Sequence, residues 1–205
     1  MKNVIVSSKI IFDKYKKINF IIDQDEYEFL DQLNINIKPI PLKKDKIIFN
    51  KNIINSDALI LLGGGDLFKI KKNKINKIRD DYEKKLFKFF FKRNKPILVI
   101  CRGFQLLADF HNIQLYKVKN HVRKNHQLKL NRSKFINYSR LIVNSYHNFS
   151  IKKLPIDYLN IAQTKDGSIE IAEHKTKKIL CLMFHPEREM NSKDLIFKSI
   201  KNFFK

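Results

Sequence analysis

The sequence predicts an α/β fold, a three-layer sandwich in which a mostly parallel central sheet lies between flanking helices. Three observations point to it. Apolar runs of strand length alternate with longer segments of helical period, the pattern of strand–helix–strand units. Two of those runs, Ala58 to Leu62 and Ile97 to Cys101, are apolar at every position, as strands covered on both faces require. No linker or internal repeat divides the 205 residues, so a single domain spanning 1–205 is expected.

In chain order, Asn3 to Ser7 reads as the first strand. Tyr27, Leu30 and Leu33 sit at three-residue steps, suited to the inner face of a short helix. Ile37-Lys-Pro-Ile-Pro41 follows as an extended run, because each proline disfavours helix in the residue before it. The strand from Ala58 to Leu62 stops at Gly63-Gly-Gly-Asp66. A helix over residues 76–93 carries Ile78, Tyr82, Leu86, Phe89 and Phe90 at three- and four-residue steps, and Asn94-Lys-Pro96 ends it. After the strand that reaches Cys101, a helix opens at Gly103 and turns Phe104, Leu106, Leu107 and Phe110 to one side. The second half reads as strands over 115–118, 141–144, 159–163, 168–173 and 179–184, with Asp166-Gly167 as a hairpin turn. A closing helix begins at Ser192 as N-cap and carries Leu195, Ile196, Ile200 and Phe203 inward.

A composition that is 43% hydrophobic and 12% aromatic supports a packed core and excludes a disordered tail. Two cysteines cannot make a disulfide framework and fit a reducing compartment. Residues 1–10 lack a signal-peptide pattern and no apolar run approaches membrane-span length, so a cytoplasmic location with no membrane partner is expected. The net charge of +22 arises from 35 Lys and 7 Arg against 20 acidic residues, with the lysines spread along the whole chain. A reader of nucleic acid would use more arginine, gathered on one face. No nucleic-acid partner is therefore expected, whereas a general attraction for anionic substrates is.

Cys101 ends a buried strand and is followed by Arg102-Gly103 and a helix, the strand–turn–helix setting of a nucleophile elbow. Such a turn lifts the side chain into the crevice at the carboxyl edge of the sheet. The helix N-terminus favours thiolate, and the amide of Arg102 is left for an oxyanion. A thiolate needs a base, and the base an orienting partner. His185-Pro186-Glu187 follows a second buried strand and supplies both. Gly63, Gly64 and Gly65 follow a third, with unobstructed amides for a second oxyanion donor. Taken singly, these residues read as a core cysteine, a surface histidine, a solvated glutamate and a plain turn; three strand ends together read as chemistry. Cys181, mid-strand, reads as core.

Leu61-Leu-Gly-Gly-Gly-Asp66, Ile100-Cys-Arg-Gly-Phe-Gln105 and Phe184-His-Pro-Glu187, in that order, resemble the class I glutamine amidotransferases, and more narrowly their γ-glutamyl hydrolase branch, peptidase family C26. The resemblance covers nearly the whole chain and implies the flavodoxin-like amidotransferase fold. It implies that Cys101 attacks a γ-glutamyl carbonyl, that His185 serves as base and then acid with Glu187 orienting it, and that water releases glutamate from the thioester. Arg102 and one of Gly63 to Gly65 would form the oxyanion hole. Gln105, His121, Asn144, Ser145, Tyr146 and His147 would line the substrate pocket, and no cofactor is implied. Val99 departs from the family, which usually has glycine two residues before the nucleophile.

Within the branch the chain is similar to small proteins of bacterial surface-polysaccharide gene clusters. That implies a small-molecule, anionic, nucleotide-linked partner: γ-glutamyl-CDP-amidate, cleaved to glutamate and cytidine diphosphoramidate for capsule modification. A glutaminase that feeds ammonia to a separate synthetase, a hydrolase of γ-glutamyl amines, a silent binding protein on the same fold and a basic nucleic-acid-binding protein explained by the +22 charge are the competing readings. Residues 9–56 are expected to help select the leaving group. His121, His126 and His147 also have a zinc reading, but no H-x-x-x-H or H-E-x-x-H spacing supports it, and no metal is expected.

Overall fold

The computed structural model describes residues 1–7, 9–38, 40, 42–43, 46–47 and 49–205, with residues 42, 43, 46 and 47 described by their backbone alone. The first half contains β1 (Asn3–Ser7), β2 (Lys9–Phe12), β3 (Ile18–Ile21), α1 (Gln24–Gln32), β4 (Asn36–Lys38), β5 (Leu42–Lys43), β6 (Lys46–Ile47), α2 (Lys51–Ile54), β7 (Ala58–Leu61), α3 (Lys74–Lys92) and β8 (Ile97–Ile100). The second contains α4 (Arg102–Phe110), β9 (Leu115–Lys117), β10 (Val122–Lys129), β11 (Arg140–Tyr146), β12 (Phe149–Ile151), β13 (Tyr158–Gln163), β14 (Ile169–His174), β15 (Ile179–Leu182) and α5 (Lys193–Phe203).

Seven strands form one sheet in the order β13-β14-β15-β8-β7-β1-β4. Neighbours from β15 through β4 run parallel, and β14 and β13 add an antiparallel side. Period-2 alternation divides the strand residues between two layers. Val4, Val6, Leu98 and Ile100 pack with Leu30 of α1 and Ile196 and Ile200 of α5. Ile5, Leu59, Ile97 and Val99 pack with Tyr82 and Leu86 of α3 and Phe104 of α4. Helices thus cover both faces, as the fully apolar strands require. Asn73 caps α3, its side chain accepting a 2.8 Å hydrogen bond from the amide of Asn76. Helix α4 docks against β7 through Gly103, where a Cβ would lie 2.6 Å from the Leu61 carbonyl oxygen.

Three expectations are corrected. Tyr27 is exposed; Glu26 and Phe29 face inward beside the expected Leu30 and Leu33, and Glu26 closes a capping box with Asp23 and lies 4.0 Å from Lys9. Leu195 is also exposed on α5. Ser192 precedes α5 without capping it, since its Oγ accepts the amide of Ile142. The extended run expected over 37–41 is strand as far as Lys38, while Pro39 and Pro41 lie outside the described residues. Among the described residues, no helix is long and apolar enough to cross a membrane.

Candidate active site

The parallel centre of the sheet carries β7, β8 and β15 to a common edge. Leu61 pairs with Val99 and Leu182 with Ile100, so all three chains leave the sheet side by side. Cys101 follows β8 and forms the N-cap of α4 with φ 46° and ψ −99°, a conformation that L-residues rarely adopt. Its amide donates to the Leu182 carbonyl at 2.7 Å, and its carbonyl accepts the amides of Phe104 and Gln105 at 3.0 Å. The turn is therefore held from both sides. Helix geometry leaves the amides of Arg102 and Gly103 without an intrahelical acceptor, beside the sulfur.

His185 leaves β15 at the same edge. Its Nδ1 lies 2.5 Å from Glu187 Oε1, and both side chains are buried. Asn144 on β11 fixes the imidazole's backbone: its Oδ1 accepts the His185 amide at 2.9 Å and its Nδ2 donates to the His185 carbonyl at 2.8 Å. Tyr146 stands edge-on to the ring with centroids 5.9 Å apart. Burial works against a charged ring here. The negative sulfur of Cys101, the hydrogen bond between ring and sulfur, and the Glu187 carboxylate outweigh it and push the His185 pKa up to about 10. With the carboxylate at Nδ1, the sulfur faces the other nitrogen. This arrangement suits a thiolate that attacks and an imidazolium that returns a proton.

Cys181 contrasts with Cys101. It is fully buried within β15, and burial pushes its thiol well above its ordinary pKa. Iodoacetamide at neutral pH is expected to label Cys101 in the native protein and Cys181 only after denaturation, as read by peptide mass spectrometry. Equal native labelling of the two would contradict this difference in environment.

Gly63 follows β7 and touches both groups. A Cβ there would lie 2.7 Å from His185 Cε1 and 3.5 Å from Cys101 Cβ, so a side chain would displace the imidazole. Gly64 and Gly65 adopt φ of 76° and 78°, open to glycine at little cost. The loop is clamped from behind. Arg79 of α3 donates to the carbonyls of Leu62 (3.2 Å), Gly63 (3.1 Å) and Gly64 (2.7 Å). Its Nε pairs with Glu83 at 2.8 Å, and Glu83 also receives Ser7 Oγ and the Arg102 guanidinium, which pairs in turn with Asp80. Gly63→Ala is expected to lower turnover about 100-fold with the fold retained, the scale of a 1 Å misplacement; unchanged kinetics would show that the ring has room to move.

The remaining predicted residues are also placed. The side chain of Arg102 is spent on Asp80 and Glu83, which leaves its amide for the expected role. Gln105 Nε2 donates to the Phe149 carbonyl at 2.9 Å, and Ser145 Oγ to the His121 carbonyl at 2.7 Å. Asn144 and Ser145 are thus committed to the protein: both atoms of the Asn144 amide serve the His185 backbone, which makes it a positioning residue in place of the expected substrate contact. His121 and His147 gather with Glu170, the one group of three described side chains able to hold a metal ion. Sequence reasoning missed Arg79, Glu83, Lys9 and Glu170. Lys9 lies over Gly64, its aliphatic chain filling the space that a Cβ would take. The signal for Glu170 was a carboxylate inside the otherwise apolar run Ile169-Glu-Ile-Ala172.

Known proteins resemble this chain in sequence and in fold. The chain is 37% identical over 155 residues to the γ-glutamyl-CDP-amidate hydrolase of Campylobacter jejuni, covering 75% of this chain and 73% of that one. It is 26% identical to one of the subunits of the glutamine-hydrolysing GMP synthase of Thermoplasma acidophilum, over 80% of this chain and 78% of the relative. A glutamine amidotransferase from Thermotoga maritima has the same fold, with a TM-score of 0.67 at 20% identity over 97% of this chain and 81% of its own. Residues 27–187 match the Peptidase C26 family, and the chain belongs to that family.

Proposed function

We propose that this protein is a cysteine-dependent hydrolase, one class I amidotransferase-like domain that cleaves a γ-glutamyl amide-type bond and releases glutamate. One observation carries the reading: Cys101, His185 and Gly63, from three strand ends, meet around one point, with Glu187 behind the imidazole. The Cys101 thiolate attacks the γ-carbonyl carbon, and the oxyanion is held by the Arg102 amide and an amide of the Gly63–Gly65 loop. The C–N bond breaks as the His185 imidazolium gives its proton to the leaving nitrogen. Neutral His185 then takes a proton from water, whose oxygen attacks the thioester; glutamate leaves and the thiolate is restored.

The proposed substrate is γ-glutamyl-CDP-amidate, hydrolysed to glutamate and cytidine diphosphoramidate for capsular polysaccharide modification. The Campylobacter relative supports it, as does cationic equipment beside the site. Lys9 rests on the glycine loop, and the Arg188 guanidinium lies 4.5 Å from the Tyr146 ring centroid. The Arg188 guanidinium suits a diphosphate leaving group, whereas the Lys9 ammonium is paired with Asp23. Glutamate release should be measured with purified protein on γ-glutamyl-CDP-amidate, glutamine and γ-glutamylputrescine. Turnover of the nucleotide substrate alone is expected. Preference for glutamine would transfer the assignment to an ammonia-supplying glutaminase, and no release from any of the three would remove it.

A further inference from the structure

Glu170 lies on β14 with no solvent exposure, and among the described residues neither carboxylate oxygen has a hydrogen-bond partner. A buried carboxylate left this way is costly unless a cation satisfies it. Two buried imidazoles face it: His147 Nε2 stands 3.3 Å from Oε1, and His121 Nδ1 stands 3.8 Å from it. The opposite ring nitrogens are already engaged. His147 Nδ1 lies 3.1 Å from the Phe149 carbonyl oxygen, and His121 Nε2 lies 3.2 Å from Asp166 Oδ2. Those oxygens only accept, so they hold the ring protons there. In the neutral rings, His147 Nε2 therefore turns its lone pair toward the carboxylate at 3.3 Å, while His121 Nδ1, 3.8 Å from it, accepts from His126 Nε2 at 3.0 Å. A lone pair and a negative charge at that distance repel one another unless something positive stands between them.

We propose that His121, His147 and Glu170 bind a divalent transition-metal ion of the zinc class. Ligand atoms on a tetrahedral ion at about 2.0–2.1 Å stand about 3.3 Å apart; His147 Nε2 and Glu170 Oε1 stand at that spacing, and all three ligand atoms lie within 4.8 Å of one another. Asp166 and the Phe149 carbonyl occupy the outer positions that orient metal-bound histidines and set which nitrogen is free. His126 Nε2 lies 3.0 Å from His121 Nδ1 and lines an open groove with Asn120, Asn125 and Asp166. It releases that hydrogen bond as the ion enters. The ion clips three segments together: the one before β10, the turn between β11 and β12, and β14. The proposal does not depend on the proposed substrate.

The test uses the full chain, stripped with chelator and dialysed against zinc, with metal content read by mass spectrometry. Because Cys101 and His185 could also capture zinc, the same measurement is made on Cys101→Ser. Wild type and Cys101→Ser are each expected to hold about one zinc per chain. Their cobalt adducts should show four-coordinate d–d bands without sulfur-to-cobalt charge transfer. Glu170→Gln should lose the metal, and Asp166→Asn should weaken binding by about 10- to 100-fold. If Glu170→Gln does not fold by circular dichroism, Asp166→Asn decides the matter. No zinc uptake by wild type, uptake that vanishes in Cys101→Ser, or uptake unchanged in the Glu170 and Asp166 variants would overturn the proposal.

Discussion

Replacing Cys101 with Ala is expected to lower glutamate release by roughly 10⁴- to 10⁶-fold, the range seen when a nucleophile is removed from a site whose members act as a unit. The fold should persist, because the backbone contacts of residue 101 to Leu182, Phe104 and Gln105 do not involve the sulfur. A second readout separates loss of chemistry from loss of structure. The His185 pKa is held up to about 10 in large part by the sulfur's charge and hydrogen bond, so it should fall in the alanine variant. Ring-proton NMR across pH 6–11 measures this. Turnover near that of wild type would mean that another group is the nucleophile; an unmoved His185 pKa would mean that sulfur and ring do not interact.

The second large effect is expected at Glu83, behind the glycine loop. Its carboxylate is fully buried between Arg79 and Arg102, and Glu83→Ala leaves Arg79 without its anion and Arg102 with Asp80 alone. Removing one partner of a buried pair costs about 3–5 kcal/mol, a large share of the ~5–15 kcal/mol by which domains are stable. Denaturant unfolding should show this loss, and a change within error would mean that water or a neighbour replaces the charge. The pH dependence has a definite sign. Burial alone would raise the Glu83 pKa, but Arg102, Arg79 and Ser7 outweigh it and lower it. Its contribution is therefore present above the unfolded carboxylate range and is lost as pH falls through the lower native value. Glu83→Gln should flatten the acid limb of the stability profile.

The parts legible in the sequence were those with local signatures. Strands β7, β8 and β15 could be read because both faces are covered and every position is apolar. The residues at their ends could then be placed on one edge from parallel topology alone. Strand β10 could not be read: of Val122-Arg-Lys-Asn-His-Gln-Leu-Lys129 only Leu128 is buried, and the strand exists through backbone pairing with β11. The β2–β3 hairpin was missed for a similar reason, since of β2 only Ile10 is buried and no residue of β3 is. At the site, Cys101, His185 and Glu187 stand next to punctuation that a reader can recognise. Arg79 and Asn144 do not. Each acts on backbone atoms 15 or more residues away, and no spacing rule encodes such a contact. The cluster of His121, His147 and Glu170 has no sequence spacing for the same reason, because its members come from two connecting segments and from β14.

The unfavourable dihedrals of Cys101 have a consequence for timing. Parallel neighbours and the first turn of α4 impose them, so the reacting geometry is set when the sheet closes and not when substrate arrives. Binding energy from the remote part of the substrate need not be diverted to bending the elbow into shape, and remains available for holding the acyl carbon against the sulfur.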